Sequence, residues 1–93
     1  MAQLFAVELP FWYAYEGESI EELISDGHEV QMLNGITFDD EVIEQAKIFA
    51  ENVLDQNNVD TCNVFVIRSD TKEVVGEIFA ERETNFTIDR HLQ

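Results

Sequence analysis

The chain has 93 residues, 45% of them hydrophobic, with twenty acidic residues against five basic ones, a net charge of −15 and a pI near 4.1. That length and apolar content fit one domain, residues 1–93, and no apolar run approaches the ~18 residues that span a bilayer. The charge argues against direct binding of DNA, RNA or anionic lipid, because phosphates would have to gather against a negative field.

The first predicted element is a strand from Gln3 to Tyr15. Its odd positions, Phe5, Val7, Leu9, Phe11, Tyr13 and Tyr15, form an unbroken apolar face at the strand period of two. Its even positions, Leu4, Ala6, Glu8, Pro10, Trp12 and Ala14, are mixed, which leaves Trp12 off the core face. Pro10 cannot donate to a ladder, so the strand is expected at a sheet edge or bulged there.

Next, Ser19 followed by Glu22 reads as a capping box. Ile20, Leu23 and Ile24 make a short apolar stripe and Gly27 suits a left-handed C-terminal cap. This predicts a two-turn helix ringed on its solvent side by Glu18, Glu21, Glu22 and Asp26. Within HEVQMLNGITF, Asn34-Gly35 signals either a hairpin or a tight turn before the next helix.

The second helix is the clearest element. Thr37 and Asp40 suggest another capping box, and Asp39, Asp40 and Glu41 favour the positive end of the dipole. Val42, Ile43, Ala46, Phe49, Ala50, Val53 and Leu54 share one face at helical spacing. Ile48 points away from them, among Glu44, Glu51 and Asp55. Cys62–Ile67 is apolar on both faces, as a central strand would be. Ser69-Asp70-Thr71-Lys72 turns it into a return strand, Val74–Glu81, and residues 84–93 read as a loose tail or a last edge strand. The order β-α-β/turn-α-β-β predicts an α+β domain, with two α-helices packed on one face of a mostly antiparallel sheet.

Chemistry-bearing motifs are absent from the sequence. No glycine-rich phosphate loop or nucleophile elbow occurs. Cys62 with His28 or His91 would be the sole thiol–imidazole pair, and Cys62 has no basic neighbour to lower its pKa. Asp39-Asp40-Glu41 with Glu44, or Asp26 with His28 and Glu29, offers oxygen ligands to a hard cation, but neither follows the calcium-loop spacing. The expectation is therefore a non-enzymatic protein with no cofactor and no dedicated metal. A single cysteine excludes an internal disulfide, and MAQLFAVELPF carries no basic region of a secretory signal, so a cytoplasmic location is expected.

Residues 1–46 hold eleven acids and no Lys or Arg. Exposed aromatics that stack single-stranded nucleic acid are interleaved with bases, and the first base, Lys47, lies far beyond Trp12. A basic protein is the natural partner. One expectation is a DNA mimic, a phage-type inhibitor whose carboxylates occupy the basic groove of a nucleic-acid-binding enzyme. Its surface would be a continuous acidic plate of Glu18, Glu21, Glu22, Asp26, Asp39, Asp40, Glu41, Glu44, Glu51 and Asp55, with Trp12 and Ile48 as apolar contacts. The alternative is a structural or adaptor module that homodimerises through an uncovered sheet face, or pairs through Trp12 and Ile48, and whose acidity serves only solubility.

Overall fold

Every strand pairing among the described residues is antiparallel. The computed structural model describes residues 3–82 and 85–90. Its elements are β1 (Leu4–Glu8), α1 (Ile20–Ser25), β2 (Val30–Met32), α2 (Asp40–Asn57), β3 (Thr61–Arg68), β4 (Val74–Glu81) and β5 (Asn85–Arg90). The five strands lie in the order β2-β1-β3-β4-β5. The α+β reading holds, and 85–90 is an edge strand paired with β4; Thr84 and 91–93, with His91, lie outside the described residues. No helix among the described residues is long and apolar enough to cross a membrane.

The first strand is shorter than its alternation suggests. Leu9 still donates its N–H to Asn63 O at 3.0 Å, but the chain then turns, with Tyr13 N–H donating to Pro10 O at 3.0 Å. Pro10, lacking an N–H, closes the ladder rather than marking an edge. β1 itself has neighbours on both sides, β2 and β3. The turn throws Phe11 outward, so it leaves the core its odd position implied.

The helix boundaries follow hydrogen-bond chemistry. The Ser19 hydroxyl accepts from Glu22 N–H at 3.2 Å while the Glu22 carboxylate accepts from Ser19 N–H at 3.4 Å, completing the box. Gly27, at φ +93°, closes α1: its N–H donates to Ile24 O and His28 N–H to Leu23 O, at 3.0 and 3.1 Å. A Cβ disfavours that left-handed backbone. The cap of α2 falls on Asp39, not Thr37, because the carboxylate takes the Val42 N–H at 3.0 Å. Asn34-Gly35 makes a turn, not a hairpin, since β2 pairs with β1. Gln45 holds this turn, its side-chain amide both accepting from and donating to the Asn34 backbone at 2.8 Å.

The two helices cover opposite faces of the sheet, which corrects the one-face expectation. Successive strand side chains alternate faces. Leu4 and Ala6 of β1 join Cys62, Val64 and Val66 of β3 and Ile78 and Ala80 of β4 beneath α2. Val7 and Ile67, with Phe5 and Phe65, instead pack with Ile20 and Leu23 of α1, and with Tyr13 and Tyr15. Both faces of the central pair are apolar, so each demands its own cover. Ile24 is exposed rather than part of the α1 stripe.

On the α2 face, β4 carries Gly76 where the Phe38 ring lies flat against the sheet, and a Cβ there would collide with three ring carbons. The Arg90 guanidinium also sits over that ring, 5.7 Å from its centroid. Gly76→Ala is therefore expected to cost about 1–3 kcal/mol in chemical denaturation. The cost should shrink in a Phe38→Leu background; an equal cost in both backgrounds would mean the ring is not the obstacle.

Candidate functional site

The ten carboxylates expected to form one plate fall into two sets, one beside each helix, with the sheet between them. Around α1, Glu21, Glu22 and Asp26 are exposed and Glu18 is half-buried. Two of these carboxylates have structural work: Glu22 completes the helix cap, and Glu18 accepts from Glu16 N–H at 3.0 Å, a bond that holds its pKa below the ordinary range. This set faces away from α2, so the single acidic plate does not form.

On α2 the arrangement is tighter. With 3.6 residues per turn, Asp40, Glu44, Glu51 and Asp55 fall within one narrow stripe, and Ile48 and Glu41 border it. All are exposed, Ile48 to 55%. Asp39 is withdrawn from the surface array by its capping bond to Val42.

Among the described residues, cations reach the N-terminal half of this stripe. Arg90 contacts Asp40 at 3.5 Å and Lys47 contacts Glu44 at 3.4 Å. Each cation also lies over an aromatic ring, Arg90 on Phe38 and Lys47 on Phe86. Such exposed pairs contribute ~0–1 kcal/mol, so a more cationic partner can displace them. Glu41, Glu51 and Asp55 have no cation at ion-pair distance among the described residues. The remaining arginines are paired elsewhere, Arg82 with Asp60 at 2.9 Å and Arg68 with Asp70 at 3.2 Å.

Trp12 is on the α1 side, remote from Ile48 across the sheet, so the two apolar contacts foreseen from sequence do not share a surface. It is 81% exposed and its ring lies 6.3 Å from that of Tyr13. Phe11, 65% exposed, rests on Phe79 of β4 with centroids 5.3 Å apart. Phe79 is half-buried there, a contact with Phe11 that alternation along β1 did not foretell.

The groups weighed for chemistry are dispersed. Cys62 is buried beneath α2, its thiol donating to Ala50 O at 3.7 Å. Burial, with smaller contributions from Glu8 and Glu29, pushes its pKa up to about 11. It is therefore protonated, and not a thiolate, at neutral pH. Burial also raises the Glu8 carboxyl, and Glu29 adds to this while His28 opposes it. Asp39 and Asp40 are committed to a cap and an arginine, and among the described residues no three His, Cys, Asp or Glu side chains converge on a position for a metal ion.

Tyr15 locks the segment that carries these aromatics. Its hydroxyl lies 2.9 Å from both Glu18 O and Lys72 O, joining the approach to α1 to the β3–β4 turn. Burial, reinforced by the Glu18 charge, raises the phenol from 10.0 to about 12. The fold thus favours the neutral phenol: this contribution is complete below pH 10 and disappears as pH rises through about 12. Tyr15→Phe is expected to cost ~1 kcal/mol at neutral pH and to remove this part of the alkaline stability loss. Denaturation curves of both proteins across that range check it, and parallel alkaline losses would contradict it.

No family model, curated protein or solved structure matches the chain.

Proposed function

We propose that the protein is a small, non-enzymatic, cytoplasmic binding protein that mimics DNA, a phage-type inhibitor whose α2 stripe enters the basic groove of a nucleic-acid-binding enzyme. The observation that carries this reading is the axial spacing of the stripe. From Asp40 to Glu44, Glu51 and Asp55 the steps are roughly 6, 10.5 and 6 Å at the helical rise. Phosphates of one DNA strand recur every ~3.4 Å along the axis, so two and three steps give ~6.8 and ~10.2 Å. Four carboxylates on one rigid rod thereby follow the pitch of a phosphate row. Ile48 beside them supplies an apolar contact that a phosphate row lacks, and would favour a protein groove over bulk counterions.

The alternative, a homodimeric adaptor, draws on the exposure of Phe11 and Trp12. It must bring two chains of −15 together, which low ionic strength opposes.

The test is capture of a basic partner from the native cytoplasm, followed by titration of that partner over a range of salt. Glu44→Gln, Glu51→Gln and Asp55→Asn together are expected to weaken binding at least ~10-fold and to flatten the salt slope by about two to three ions. DNA should compete. Affinity that ignores both salt and these substitutions would refute the mimic.

A further inference from the structure

Two pairs of an acid or amide followed by glycine occur in the chain, Asp26-Gly27 and Asn34-Gly35, and the fold treats them oppositely. In such a pair the side-chain carbonyl carbon is close in covalent terms to the next backbone nitrogen, and glycine leaves that nitrogen unshielded. Gly27 has its nitrogen engaged: the N–H donates to Ile24 O at 3.0 Å as part of the α1 closure. At Gly35 the N–H has no hydrogen-bond partner among the described residues, and neither has the exposed Asn34 side-chain amide.

The backbone around this pair is nevertheless held. Gln45 accepts from Asn34 N–H and donates to Asn34 O, both at 2.8 Å, so α2 grips the residue while its carboxamide is left to turn. Glycine is also demanded at the next position. Gly35 has φ +145°, and a Cβ there would stand 2.5 Å from Val42 Cγ2. Packing against α2 therefore selects the one residue that least obstructs attack by its own nitrogen.

We infer that Asn34-Gly35 is a self-modifying site, at which cyclisation and water convert Asn34 to an isoaspartyl or aspartyl residue and add a negative charge beside α2. Gly35 N attacks Asn34 Cγ. The N–Cγ bond forms, the Cγ–Nδ2 bond breaks, and Nδ2 departs as ammonia with the proton that Gly35 N gives up. One water then opens the five-membered imide. Addition at Cγ restores the ordinary backbone and leaves an aspartate. Addition at the Asn34 main-chain carbonyl carbon sends the chain through Cβ and Cγ, one methylene longer, and leaves the carboxylate on Cα. Either product carries the new charge next to Gln45, one helical turn from Glu41.

The experiment incubates the full chain in mildly alkaline buffer, folded and in urea. Samples are followed by intact mass, ammonia release and peptide mapping that assigns isoaspartate to its residue. The folded chain is expected to gain about 1 Da per event, faster as pH rises because base removes the Gly35 proton. Asn34→Gln, and independently Asn34→Asp, should remove both the ammonia and the mass gain; circular dichroism confirms that each variant folds. Each pair is then compared with its own rate in urea. Asn34 should retain at least ~10-fold more of that rate than Asp26, whose Gly27 nitrogen must first leave its cap. An Asn34 that stays intact in the folded chain while reacting in urea, ammonia release that persists in Asn34→Gln, or equal retention at the two pairs would overturn the inference.

Discussion

The structure depends on a strand pair that is apolar on both faces. In β1, Leu4 and Ala6 look one way and Phe5 and Val7 the other; in β3, Val64 and Val66 oppose Phe65 and Ile67. Burying apolar surface is the dominant favourable term in folding, so neither face can be left to water. One is met by the 18 residues of α2. The other is met by a six-residue helix and by the aromatic segment leading to it. The second cover is the shorter because β4 and β5 are amphipathic, with Ile78, Ala80, Phe86 and Ile88 under α2 and, Phe79 apart, Glu77, Thr87 and Asp89 on the far side.

Electrostatics inherits this layering. The sheet separates the acids of α1 from those of α2, so the carboxylates of the two helices form two arrays rather than one. The α2 array is the more ordered, because a single long helix spaces its carboxylates regularly. The same helix carries an acidic first turn and its Asp39 cap at the N-terminus, where the dipole welcomes negative charge. Glu51 and Asp55 lie beyond that benefit, toward the C-terminal end. Their placement works against helix stability and is the kind of local cost that a binding role would explain.

Much of this was legible in the residues. The α2 core stripe, the Ser19–Glu22 box, the Gly27 closure and the β3–β4 hairpin all rest on local rules, and all are present in the structure. What misled was alternation carried past Pro10: period two continues through Tyr15, but the backbone does not, and Phe11 changes from core to surface as a result. The side on which each helix lies was illegible for a different reason. Handedness rules govern parallel crossovers, whereas the connections here join antiparallel strands and leave the side of α1 to be chosen by packing. The division of the acids follows from that choice and so was hidden with it.

The claim that the sheet stands between the two acidic helices can be measured directly. Spin labels at Ile24→Cys on α1 and Ile48→Cys on α2, in a Cys62→Ala background, would report their separation by pulsed electron resonance. Both positions are exposed. Helices on opposite faces predict a distance beyond about 20 Å, more than twice the interaxial spacing of neighbouring helices. A value close to the ~8–10 Å of helices packed side by side would contradict the layering and everything drawn from it.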